Sequence, residues 1–190
     1  MKGKLGLLLG ISLVLLVILI IVGLVWGTYN SLVTKSQAID AQWAQVETQY
    51  QRRFDLIPNL VNSVKGMMTQ EKTVFDSLAE ARSKYAGATT VDEKAVAGGE
   101  LEVALGRLIA IMENYPELRS VETVTQLMDE LAGTENRISV ERRRYNELVR
   151  DYNTTIKKVP TNLLASMFNF EAKNYFQSVS GADQVPSVEF

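Results

Sequence analysis

The chain contains no cysteine and no histidine. Losing cysteine removes disulfides, thiolate nucleophiles and iron–sulfur ligation, and the two absences together remove Cys/His zinc sites. Without histidine the commonest general base is gone, and with it Ser-His-Asp and Cys-His catalysis. A di-iron carboxylate bundle of the usual Glu-x-x-His kind is excluded for the same reason. Carboxylate, lysine, tyrosine and metal–oxygen chemistry stay open. A chain without cysteine fits any compartment, so the redox setting is not fixed.

Positive charge is also scarce. Twenty Lys and Arg face 22 Asp and Glu, for a formal net charge of −2. Two of the lysines, Lys2 and Lys4, precede the first apolar run, so the rest of the chain is more acidic still. Affinity for phosphate backbones comes from clustered Lys and Arg, and nucleic acid is therefore not an expected partner. No segment alternates with period two for long enough to argue a strand, which leaves an all-α fold class.

Leu5 to Trp26 is uncharged and rich in Leu, Ile and Val. At about 1.5 Å per residue it is long enough for a hydrocarbon core of about 30 Å. Trp26 and Tyr29 fall where an interfacial aromatic belt sits. The run exceeds the apolar region of a cleaved secretory signal, so residues 5–26 are read as a transmembrane signal anchor behind a short tail, residues 1–4. Lys2, Lys4 and the α-amino group outweigh the lone Lys35 on the other flank. The positive-inside rule then puts the N-terminus in the cytoplasm and the large domain outside. Gly6-x-x-x-Gly10 has the spacing of a helix-dimerisation face, which makes a homo-oligomer one expectation.

No linker follows. Leu32, Ser36, Ile39, Trp43, Val46 and Tyr50 recur in steps of four and three, and this helix is expected to end near Arg53. Pro58 does not fit a helix interior, so a corner is placed at Arg52–Val61, with Asp55 as the N-cap of a second helix over about 56–86. Gly87 to Thr90 reads as a loop, and a third helix spans about 91–114, weakened by Gly98-Gly99. Pro116 breaks the pattern. Ser120 is then expected to cap a long fourth helix over about 121–158, ended by Pro160, and Thr161 to cap a short one over 162–168. Together these predict an up-and-down antiparallel four-helix bundle over 29–177, with a short C-terminal helix and an irregular tail over 178–190.

The landmarks in order resemble the LemA family of bacterial membrane proteins. The residues that carry the likeness are Tyr29-Asn30-x-Leu32-Val33, Trp43-x-Gln45-Val46, Arg53-x-Asp55-Leu56-Ile57-Pro58-Asn59-Leu60-Val61 and Val64-Lys65-Gly66. Further on come Ala81-Arg82, Glu113-Asn114-Tyr115-Pro116-x-Leu118, Gly133-Thr134-Glu135-Asn136-Arg137-Ile138, Tyr145-Asn146, Tyr152-Asn153 and Val188-x-Phe190. The chain departs at Met67-Met68-Thr69-Gln70, where the family pattern has an aromatic residue and a histidine. The resemblance implies an N-terminal transmembrane helix and a helical bundle. It implies no catalytic residues and no cofactor, and some relatives are associated with membrane organisation.

Three groups of positions carry alternative readings. Arg52, Arg53, Asp55 and Asn59 at the corner form a partner-binding tip, or else a cap with a covering arginine. Glu71, Glu135, Asn136, Arg137 and Arg142 interrupt apolar stripes and form a buried polar layer, which either lines a ligand site or sets helix register. Val188 and Phe190 end the chain with the pattern read by domains that add a C-terminal strand, or else dock on their own bundle. Tyr145-Asn146 and Tyr152-Asn153 face one way, with the tyrosines sealing the core and the asparagines bonding to a neighbour. The functional expectation is a non-enzymatic, membrane-anchored scaffold that meets other membrane or envelope proteins. A small-ligand or enzymatic bundle built on Glu71, Glu135 and Arg137 is the alternative.

Overall fold

The apolar stripe that begins at Leu32 does not stop at Arg53. Tyr50, Ile57, Leu60 and Val64 are all buried, at helical spacing on both sides of Pro58. The fold is described from a computed structural model, over residues 2–176. Its first helix, α1, spans Lys2–Val64 with Pro58 inside it. The others are α2 (Lys72–Gly87), α3 (Val91–Met112), α4 (Glu122–Lys157) and α5 (Thr161–Met167), with a 3-10 turn at Pro116–Ser120. No strand occurs among the described residues, and the fold is all-helical. The expected tail over 178–190 lies outside them.

The corner expected at Arg52–Val61 is therefore corrected. An interior proline costs about 3 kcal/mol through a lost hydrogen bond and a clash with the carbonyl four residues back. Ile57, Leu60 and Val64 are each at most 1% exposed, and each fully buried aliphatic side chain is worth about 1.5–3 kcal/mol. Burial wins. Side chains also support the backbone around the proline: Asn59 Nδ2 donates to the Asp55 carbonyl at 3.5 Å and Ser63 Oγ to the Asn59 carbonyl at 2.8 Å. Asp55 is not an N-cap, because no helix starts there. The chain turns instead between Lys65 and Glu71, where Met67 and Met68 donate to the Val64 carbonyl and the buried Met68 plugs the turn.

Other boundaries follow local chemistry. Thr90 and Glu93 form a capping box at the start of α3: Glu93 N–H donates to Thr90 Oγ1 at 3.2 Å, and Thr90 N–H to Glu93 Oε2 at 3.1 Å. Ser120 does not act as the expected cap of α4; its hydroxyl donates to the Glu117 carbonyl at 2.6 Å and closes the 3-10 turn. Thr161 is already helical, and Pro160 stands at the N-cap of α5 without a side-chain bond.

The chain divides into two compact units. One comprises the residues up to Asp40 with Glu147–Lys173, and the other Ala41–Asn146 with the chain from Asn174. Within the first, Lys35 pairs with Asp151, and Lys173 with Asp40 at 3.4 Å. Within the second, Ile57, Leu60 and Val64 of α1, Leu78 and Ala81 of α2, Leu101, Leu105 and Leu108 of α3, and Val124 and Leu131 of α4 share one hydrophobic cluster. This core positions the polar site.

Candidate functional site: an ion-paired network on Glu102

Arg53 occupies a stripe position of α1 between Tyr50 and Ile57, and it is 1% exposed. A guanidinium taken out of water costs several kcal/mol unless carboxylates meet it. Two do. Arg53 Nη1 lies 3.4 Å from Glu102 Oε1 on α3, and Nη2 pairs with Glu135 Oε2 on α4. Arg142, also on α4, places its own Nη1 3.1 Å from the same Glu102 oxygen. Tyr50 donates its hydroxyl to that oxygen at 3.3 Å. Burial, and then the Glu102 charge, push the Tyr50 phenol well above the ordinary tyrosine range.

Aromatic rings wall this network. The Arg142 guanidinium carbon lies 4.2 Å from the Phe176 ring centre, and the Phe176 ring stacks on Tyr50 at 6.5 Å. Tyr85 packs 5.3 Å from Tyr50. Its buried hydroxyl has no hydrogen-bond partner among the described residues, and burial pushes its phenol up to about 12. One Glu102 oxygen thus accepts from three donors, while the guanidinium of Arg53 is held from two helices. Such an arrangement ties α1, α3 and α4 together.

The sequence-selected residues separate accordingly. Arg52, Asp55 and Asn59 stay exposed on one face of α1, along a groove of about 700 Å³ shared with Ala44 and Thr48. Gln51 Nε2 donates to Asp55 Oδ1 there at 2.9 Å. Arg53 leaves that group for the core. The five-residue buried layer does not form: Glu135, itself half-exposed, and Arg142 join the Arg53 network, whereas Asn136 and Arg137 are exposed outside it. At about 100° per residue, consecutive helical positions cannot share a face, while Glu135 and Arg142, two turns apart, can. Glu71 lies in the turn before α2 and accepts from the Tyr115 hydroxyl at 3.2 Å. Val188 and Phe190 lie outside the described residues.

Against known proteins, the sequence profile of the LemA family matches residues 42–190. The chain belongs to the LemA family. Two Paramagnetospirillum magneticum proteins, magnetosome proteins MamQ 1 and MamQ 2, are each 30% identical over 181 residues, which is 82% of this chain and 66% of the relative. Magnetosome protein MamQ of Magnetospirillum gryphiswaldense is 29% identical over 208 residues, 96% of this chain and 76% of the relative. The chain thus spans just under two thirds of the first two relatives.

In this LemA-family chain the paired Tyr-Asn motifs act as backbone clamps. Tyr145 and Tyr152 are buried. Asn146 Nδ2 donates to the Phe176 carbonyl at 3.0 Å and its Oδ1 accepts from the Phe176 amide at 2.8 Å. Asn153 makes the same reciprocal pair with Lys173, at 2.8 and 2.9 Å. Sequence reasoning missed Glu102 as the centre of the network. The available signal was Arg53 itself, a charge inside an apolar stripe that demanded an acidic partner. Nothing local marked Phe176 as the aromatic wall.

Proposed function

We propose that this LemA-family chain is a membrane-anchored helical scaffold that docks a protein partner on the exposed face of α1 bearing Arg52, Asp55 and Asn59. The observation that carries the reading is α1 itself: one helix contains both the apolar run, long and apolar enough to cross a membrane, and that polar face. No linker separates the two along α1. In this reading the four long helices form an up-and-down antiparallel bundle in a bacterial inner membrane, N-terminus in the cytoplasm and bundle outside. The relatives are named as magnetosome proteins, by the body they belong to and not by a reaction, which fits a structural role. No observation favours an enzymatic layer, because Glu71, Glu135 and Arg137 occupy separate surroundings.

Photo-crosslinkers placed at Arg52 and Asn59 in intact membranes test the docking face, with one at the exposed Asp129 of α4 as control. Discrete protein adducts from the α1 positions, absent from the control, are expected; the same pattern from all three overturns the proposal. Protease added from the outer side reads orientation, and protection of the bundle overturns the outward placement.

A further inference from the structure

The first unit exposes apolar side chains beyond α1. Val159 is 80% exposed, Leu163 69% and Met167 61%. Leu163 and Met167 lie one turn apart on α5 and share a face. The opposite side of α5 is packed: Ala165 is buried, and its carbonyl accepts the Phe170 amide at 2.8 Å. Asn169, in the left-handed region with φ 56°, turns the chain after the helix, a conformation asparagine tolerates.

The position of α5 in this unit is set by aromatic contacts. The rings of Phe168 and Phe170 meet Tyr29 edge-on at 5.0 and 5.7 Å. Tyr29 lies three residues after Trp26, and Trp26 at the end of the apolar run is itself exposed. Between them lies a cavity of about 430 Å³, walled by Ile21, Val22, Val25, Trp26 and Phe168. With the apolar run read as membrane-spanning, Ile21, Val22 and Val25 face hydrocarbon, and a lipid acyl chain matches the apolar wall they form. Lys157 and Lys158, exposed immediately before Val159, place positive charge beside this apolar face. An apolar face beside an interfacial aromatic and a basic pair is the arrangement of a helix lying in the membrane surface.

We propose that α5 is a lipid-binding element: Val159, Leu163, Met167 and Phe168 enter the boundary between headgroups and acyl chains, the cavity beside Trp26 takes a phospholipid acyl chain, and Lys157 and Lys158 meet anionic headgroups. The proposal rests on reading the apolar run as membrane-spanning. It goes beyond anchoring, because a second element contacts the bilayer at one interface and fixes how the first unit sits on it.

The test uses the full-length chain in nanodiscs of phosphatidylcholine and phosphatidylglycerol with brominated acyl chains. Trp43→Phe leaves Trp26 as the reporter of the anchor. The triple variant Trp26→Phe, Trp43→Phe, Leu163→Trp reports on α5, and the same background with Met167→Trp provides a second probe if the first lowers helicity. The tryptophan on α5 is expected to emit at blue-shifted wavelength and to lose intensity to brominated chains as Trp26 does, while resisting aqueous iodide. Substituting Lys157 and Lys158 by Gln is expected to weaken that quenching in phosphatidylglycerol and not in pure phosphatidylcholine. Red-shifted, iodide-accessible emission overturns the proposal, and so does blue-shifted emission that bromine leaves untouched, which means a second protein covers the face. Loss of quenching at Trp26 itself overturns the anchor reading instead.

Discussion

Gly98 of α3 lies so close to the ring of Tyr50 on α1 that a Cβ built on it stands 2.8 Å from Cε1. The missing side chain lets Tyr50 reach Glu102, the next inward-facing polar group along α3. Gly98→Ala is expected to destabilise by about 1 kcal/mol, because overpacking a buried ring costs about 1–3 kcal/mol against a helix-propensity gain of about 1. Gly106→Ala on the same helix, with open space at its Cβ, is expected to stabilise by up to about 1 kcal/mol. Thermal unfolding of the pair in detergent, moving in opposite directions, checks this.

Removing the shared acceptor is expected to cost more than removing its buried donor. Glu102→Ala strips Arg53 and Arg142 of a common partner, and breaking a buried ion pair from one side costs about 3 kcal/mol. Arg53→Met fills similar space and leaves Glu102 bonded to Arg142 and Tyr50, with Glu135 half-exposed to water. A larger loss for Arg53→Met in the melting temperature contradicts Glu102 as the centre.

Alkaline pH should unfold the second unit through its tyrosines. The Tyr85 phenol is raised by burial to about 12, above its unfolded value near 10. Its contribution is complete below pH ~10 and is lost as pH rises through ~12, because the unfolded chain releases the proton first. Tyr85→Phe removes that ionisation and a buried hydroxyl without a partner among the described residues. It is expected to raise stability by about 1 kcal/mol at neutral pH and to keep more of it above pH 10 in melts taken across the alkaline range.

Asn153→Asp tests the backbone clamp of the first unit. The substitution keeps the acceptor for the Lys173 amide but replaces the donor to its carbonyl with a carboxylate. Stability is expected to fall by about 2 kcal/mol at neutral pH. The new acid has its pKa raised in the folded state, so the loss shrinks as pH falls and the protonated acid donates again. A loss that does not change with pH contradicts the reciprocal geometry.

Much of this was legible along the chain. The uncharged run, the missing period-two pattern, and the Gly87 and Pro116 punctuation specify an all-helical protein with one apolar N-terminal helix, and the ordered motifs specify the family. These signals are local: each depends on the charge, spacing or backbone freedom of neighbouring residues. Local chemistry also held the Thr90–Glu93 capping box, although it was read only as a loop.

Pro58 and Arg53 show where local chemistry stops. The proline is a helix breaker in isolation, yet Ile57, Leu60 and Val64 find a core contributed by α2, α3 and α4, and their burial exceeds its cost. Arg53 is a surface charge by residue type, yet Glu102 and Glu135 reach it from helices far along the chain. The sequence by itself determined that the protein is helical and which segment is apolar enough for a membrane. Tertiary structure alone decided whether α1 runs through its proline and which charges turn inward, because both depend on partners that only packing brings within a few ångströms.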